Sequence, residues 1–252
     1  MNRLPTLSSD ALGFDSHSLD GSRCGAPEAA PLREELQRTT CSIFTPLHYE
    51  QGYAYPLLVW LHGDGGSERE LRRVMPHVSV RNYVAIAARG ADSNVADETS
   101  FYWQDSATGS GDAADEVRRC IDLAASRYHL HAERIFIAGY QSGGTMALRL
   151  ALRYPDWFAG AASIGGAMPR GDSPLRRVNH ARRLPLLLTC CRECRQYPPQ
   201  RVADDLRLLH SAGFSLALRQ YPGDSGLTTA MLGDLDRWLM GLICPESSQA
   251  TL

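Results

Sequence analysis

The segment Phe136–Met146, FIAGYQSGGTM, holds the residues whose types and spacing come nearest to a reaction. An apolar run, Ile135–Ala138, ends in Gly139, and Gly143-Gly144 opens an apolar pattern at helical spacing. The arrangement G-x-S-x-G sets a serine hydroxyl on a sharp strand-to-helix turn, where it can attack an acyl carbon. The small flanking residues let the backbone reverse. In this chain Gly139 and Gly143 frame Gln141, and the serine stands one place later, at Ser142. A carboxamide has no ionisable hydroxyl and forms no acyl intermediate. Moving the frame to Ser142 would put Tyr140 and Gly144 in the small positions, and a tyrosine there crowds the turn. The glycine spacing therefore predicts a turn that presents Gln141, with Ser142 capping the helix that follows. Ser142 as a shifted nucleophile is the alternative.

Other residues invite a chemical reading. His62-Gly63-Asp64-Gly65-Gly66 follows a buried-looking apolar run and is a glycine-rich loop able to offer backbone N–H groups to a developing oxyanion. His62 there is expected to fix the loop by hydrogen bonds rather than to act as a base, and Asp64 to be a turn residue. Cys191 and Cys194, with Cys190 adjacent, form a C-x-x-C. A structural zinc needs four ligands and no second pair is visible; a redox pair wants a helix N-terminus and a depressed thiol pKa. Incidental thiols are the expectation. Trp103, in a polar loop, either lines a cleft or anchors packing, whereas Trp60, Trp157 and Trp238 fall on elements expected in the core.

These residues must be held by a scaffold, and the 252-residue chain is long enough for one sizeable core. Hydrophobic residues make up 44% and the net charge is −2, with arginine far outnumbering lysine, which gives no electrostatic case for nucleic acid or an anionic membrane. No apolar run approaches the length of a membrane span. The first 31 residues lack a continuous apolar stretch of the signal-peptide kind, and the seven cysteines are odd in number, so a reducing, cytoplasmic setting is expected.

Along the chain, residues 1–31 read as a flexible extension rich in Ser, Gly, Pro and Asp. Strands are predicted at QRTTCSIFT, PLLVWLHG, YVAIAARG, RIFIAG, FAGAASIGG, LPLLLTC and FSLALRQY. Between them lie helical patterns. SERELRRVM, capped by Ser67, aligns Leu71, Val74 and Met75. Residues 112–127 align Ala113, Val117, Cys120, Ile121 and Ala124. GGTMALRLALRYP follows the turn, PQRVADDLRLLHSAG stops at Gly213, and residues 228–242 align Leu232, Leu235, Trp238, Leu239 and Leu242. Alternation of this kind predicts a single α/β domain over residues 32–243, a mostly parallel sheet with helices on both faces, and a tail at 244–252.

In this order and spacing, LLVWLHGDGG, Arg89-Gly90, FYWQD at Phe101–Asp105 and the long run RIFIAGYQSGGTMALRLALRYPDWFAGAASIGG resemble the α/β-hydrolase superfamily, in particular its phospholipase/carboxylesterase group, which includes acyl-protein thioesterases. The resemblance covers roughly residues 35–242 and implies an α/β-hydrolase fold, no cofactor, and a serine, a histidine and an aspartate acting as a unit. Each implied position is altered. The nucleophile slot holds Gln141. The acid slot, after LPLLLT, holds Cys194, with Glu193 beside it. The histidine slot, in YPGDSGLTTAML, holds Ser225, or Asp224 or Gly226 with a small shift of register. Beyond the turn the histidines are His180 and His210, on an arginine-rich segment and a helix, and neither is expected to reach the site.

Two functions follow from different classes. One is a pseudo-hydrolase whose cleft binds a small acyl-type ligand or a protein partner. The other is a working esterase or thioesterase that uses Ser142, or a water activated by Asp224 or Glu193. The sequence carries no signal for an oligomeric state. Because residues 1–31 are poor in apolar side chains, a chain lacking them is expected to melt within a few degrees of the full chain; a large fall in Tm would show that they complete the core.

Overall fold

The structure, a computed structural model, describes residues 41–92, 100–171, 173–224 and 226–245. The expected extension at 1–31, the residue Ser225 and most of the C-terminal tail lie outside the described residues.

Nine strands and six helices are described. The strands are β1 (Cys41–Phe44), β2 (Tyr55–Leu61), β3 (Val84–Ala88), β4 (Ala91–Asp92), β5 (Phe101–Tyr102), β6 (Leu130–Tyr140), β7 (Gly160–Ile164), β8 (Leu186–Cys191) and β9 (Leu216–Tyr221). The helices are α1 (Leu71–Val78), α2 (Ala107–Ala125), α3 (Ser142–Arg153), α4 (Val178–Ala181), α5 (Pro199–Ser211) and α6 (Thr229–Ile243). Seven strands form one sheet in the order β1-β3-β2-β6-β7-β8-β9. Only β1 pairs antiparallel, against β3; the other neighbours are parallel. The small β4–β5 pair and the short α4 had no periodic signal in the sequence, being too brief to show one.

Both faces of the sheet are covered, and this is why the central strands read as unbroken apolar runs. Alternate residues of each strand go to opposite sides. Leu57, Val59, Leu61, Ile86, Ile137 and Leu188 pack with α2 and α3. Leu58, Trp60, Ala87, Phe136, Ala162 and Leu187 pack with α1 and α6. All five residues expected on one stripe of α2 are buried. Ser67 caps not α1 itself but a single 3₁₀ turn, Glu68–Glu70, that leads into it. Trp60 is fully buried and satisfies its indole N–H on Glu70 Oε1 at 3.0 Å. Trp157 and Trp238, expected in the core, are only half-buried. Both sit at the rim: Trp157 stacks on Tyr154 beyond the end of α3, and Trp238 covers the start of β7 beside Gly160. Leu242 is likewise exposed, at the last turn of α6.

The strand order reverses at β2, from which the chain goes to β3 on one side and β6 on the other. Loops leaving the carboxyl ends of β2 and β6 therefore diverge and leave a crevice between them, the usual place for a site in an open α/β sheet. One wall of that crevice is tied down by an ion pair. Arg89, just past β3, donates from Nε and Nη2 to both oxygens of Glu68 at 2.8 and 2.7 Å, and its guanidinium lies 4.5 Å from the Phe101 ring centre. Burial pushes the Glu68 carboxyl up, but the paired hydrogen bonds and charge of Arg89 outweigh it and hold the group below its ordinary value. The ion pair thus adds stability above the usual carboxylate range and loses it as the pH falls. Arg89→Ala removes the paired hydrogen bonds of a buried carboxylate, leaving it only the exposed Arg69 at 4.0 Å, and is expected to cost at least about 2 kcal/mol at neutral pH. In denaturant titrations the gap between variant and parent should narrow below about pH 4.

Candidate active-site cleft

The turn after β6 falls at Gln141, with φ 49° and ψ −117°. A side chain in this left-handed region is strained, so the surroundings must impose it. The Gln141 peptide is fixed at both ends: its N–H donates to Ile164 O at 2.8 Å, and its carbonyl accepts from Thr145 N–H at 3.0 Å. Gly139 and Gly143 make the reversal possible. A Cβ on Gly139 would fall on the backbone of Gly143, and one on Gly143 would fall on the carbonyl oxygens of Leu61 and His62. The helix thus starts in direct backbone contact with the end of β2, and its first N–H groups, which have no partner inside the helix, face the crevice end.

Ser142 is the first residue of α3, and it does not cap the helix. A serine cap needs extended backbone one position earlier, and that position is held by Gln141, whose side chain makes no capping bond either. Ser142 Oγ is buried and, among the described residues, has no hydrogen-bond partner. The Gln141 carboxamide turns to Tyr140 and donates from Nε2 to its phenol oxygen at 3.2 Å. Burial, with the neighbouring Cys191, Glu70 and Cys194, raises the pKa of that phenol. Tyr140 therefore lies between the turn and the cysteine loop.

The loop His62–Gly66 is held from several sides. His62 is fully buried; its Nδ1–H donates to Gly63 O at 2.8 Å, and Gly90 N–H donates to its Nε2 at 3.1 Å. An acceptor at Nε2 fixes the neutral Nδ1–H tautomer, and burial lowers the imidazole pKa further. The ring has no free nitrogen for proton transfer. Gly65 N–H donates to Phe101 O, and Phe101 N–H to Gly66 O, each at 3.1 Å. Trp103 donates from Nε1 to His62 O at 2.8 Å, its ring centre 4.9 Å from the imidazole, while the same side chain faces the cleft. It is both anchor and wall. Asp64 is exposed at the mouth.

The loop after β8, which carries Cys194, and the loop after β9 run together. Arg192 N–H donates to Tyr221 O and Glu193 N–H to Gly223 O, both at 3.0 Å, joining the loop after β8 to the loop after β9. Cys194 is buried and accepts from Tyr197 N–H at 3.3 Å. Cys190 and Cys191 are also buried, and burial pushes their thiols up, away from the thiolate a redox or nucleophilic cysteine needs. Among the described residues no His, Cys, Asp or Glu side chains group as metal ligands. Glu193, Asp224, His180 and His210 are exposed.

Between the turn and these loops is a cleft of about 340 Å³, lined by Asp64, Trp103, Gln141, Ser142, Arg149 and Arg201 among others; none of its described lining residues is a histidine. Sequence reasoning missed the two arginines. Arg149 is buried and ion-paired to Asp105, and also donates to Arg170 O at 2.7 Å. A charged residue inside the apolar run MALRLALR was the available signal.

A family model described as esterase PHB depolymerase matches residues 75–178. A Nocardia uniformis subsp. tsuyamanensis protein that carries the name esterase NocK is 33% identical over 127 residues, 48% of this chain and 36% of that protein. A protein of Oryza sativa subsp. japonica named as a carboxylesterase is 29% identical over 139 residues, 50% of this chain and 48% of that one. The chain thus matches less than half the length of these relatives. Among solved structures, a Bacillus cereus carboxylesterase aligns with a TM-score of 0.64 at 18% identity, covering 84% of this chain and 99% of that one. Zea mays acyl-protein thioesterase 2 aligns at 0.66 and 16%, covering 81% and 98%. The chain has the α/β-hydrolase fold.

The packing around the turn yields a contrast between two glycines. Gly143→Ala should cost about 3 kcal/mol or more, because the methyl meets backbone rather than a side chain that could yield. Gly233→Ala, in α6 with open space around it, should be neutral or stabilising by up to about 1 kcal/mol. Denaturant midpoints of the two variants measure the difference directly.

Proposed function

We propose that this chain is a pseudo-hydrolase: an α/β-hydrolase-fold protein that keeps the cleft of an esterase and uses it to bind a small acyl-type ligand or a protein partner, in a reducing cytoplasmic setting. The observation that carries the reading is Gln141 on the strained turn. The position that the fold reserves for a nucleophile offers an amide, and an amide cannot be acylated and released. Cys194 in the acid slot and Ser225 in the histidine slot support the same reading. So does His62, whose two ring nitrogens are engaged with Gly63 and Gly90. What remains is the means to bind an acyl carbonyl: the His62–Gly66 loop and the N–H groups at the start of α3.

A second reading, a working carboxylesterase or thioesterase, is favoured by one observation. Ser142 lines the cleft, and its buried Oγ has no hydrogen-bond partner among the described residues. As nucleophile it would need a base; in the other form of this reading a water activated by Asp224 or Glu193 attacks instead, and both carboxylates are exposed.

Labelling with a fluorophosphonate separates the two, since the probe reacts only with an activated serine. The pseudo-hydrolase reading expects no labelling, and turnover of a short-chain chromogenic ester at least about 10⁴-fold below that of an intact triad enzyme. Stoichiometric labelling that Ser142→Ala abolishes would establish the second reading instead. Gln141→Ser alone should restore little, lacking a base. Gln141→Ser with Ser225→His and Cys194→Asp should recover measurable turnover, because the three positions act as a unit.

A further inference from the structure

A second cavity, about 720 Å³ against 340 Å³ for the cleft, opens on the far side of Arg149, between the start of α2, the end of α3 and the segment leading into α4. Four arginines line it, Arg149, Arg153, Arg176 and Arg177, and none of its described lining residues is acidic. The chain has no lysine, so the choice of arginine over lysine carries no information here. The clustering does, because the chain as a whole is slightly acidic, with a net charge of −2.

The four charges are not equally balanced. Arg149 is paired with Asp105, and Arg177 with Asp156 at 3.0 Å. Arg177 also donates from Nη1 to Arg153 O at 3.3 Å, where a cation suits the carboxyl end of α3. Arg153 has no carboxylate partner among the described residues: its Nη1 donates to Ser110 Oγ at 3.1 Å, and its guanidinium lies 5.6 Å from the Tyr154 ring centre. The Arg176 side chain makes no hydrogen bond or ion pair among the described residues. Arg149 and Arg153 stand four residues apart on α3, and Asp105 already balances the first of them. Two guanidinium groups thus border a shared space without a carboxylate partner among the described residues, beside Tyr154, which stacks on Trp157 at 4.3 Å.

We infer that this cavity is a binding site for a small phosphorylated molecule, distinct from the cleft at Gln141. Planar guanidinium forks match phosphate oxygens in pairs, and two or more of them match a diphosphate better than a single carboxylate. The volume falls in the range of small-molecule sites, and Tyr154 borders the space where the organic part of the ligand would lie. Arg153 and Arg176 hold the phosphate groups; Arg149, already engaged, sets the edge that the two cavities share.

The test is isothermal titration of the full chain with inorganic pyrophosphate in an amine buffer at low salt. The site predicts a 1:1 complex with Kd below about 1 mM. It also predicts weakening of at least about tenfold in Arg153→Gln/Arg176→Gln and affinity that falls with added chloride. Both side chains are exposed enough for the double variant to fold, which its unliganded Tm would verify. Arg207→Gln, on α5 and away from the cavity, should bind as the parent does. No heat at millimolar pyrophosphate overturns the proposal, and so does equal binding by the parent and the double variant.

Discussion

The left-handed backbone at Gln141 is the constraint around which the rest of the site is arranged. It costs on the order of 1–3 kcal/mol and persists because its surroundings over-determine it. Its N–H is held by β7 through Ile164, its carbonyl by the next turn of α3 through Thr145, and the glycines on either side leave no room for another path. None of these restraints touches the side chain at 141. The residue that a hydrolase needs for reaction is therefore not a residue that the turn needs for folding. Any non-glycine side chain bears much the same strain there, so a nucleophile can be exchanged for an amide while the scaffold stays intact.

The loop facing the turn is fixed by different means. Its one positive φ falls on Gly65, where it costs no strain, and polar groups pin the loop instead. The neutral imidazole of His62 bridges Gly63 and Gly90, the indole of Trp103 ties the His62 carbonyl, and the Arg89–Glu68 pair anchors the neighbouring wall. In a low-dielectric surrounding each of these bonds is strengthened, and each would be expensive to leave unmade. A cleft built this way keeps its shape whether or not catalysis follows. Function must therefore be argued from the groups themselves rather than from the fold.

Much was legible before any coordinates. Because the parallel strands are buried on both faces, they stand out as continuous apolar runs, and the helices between them show their stripes. The glycine frame of the turn was equally plain, since a backbone that must touch its neighbours tolerates only glycine at Gly139 and Gly143. Less visible were short elements such as β4, β5 and α4, and the half-exposure of Trp157 and Trp238, which depends on where the sheet ends rather than on any local pattern. The cap expected at Ser142 was off by one position, because φ and ψ at Gln141 decide where the helix begins.

The sequence by itself determined the layered α/β architecture and the position of the turn, because each is a matter of residue type at a given spacing. Only the tertiary structure decided which ring nitrogen of His62 carries the proton, that Ser142 Oγ is buried without a partner among the described residues, and that Arg153 and Arg176 share a cavity. Those facts rest on groups far apart in the chain: Gly90 meeting His62, and the end of α3 meeting the approach to α4. A hydrogen bond or an electrostatic field depends on distances in space, and these are set only when the chain has packed.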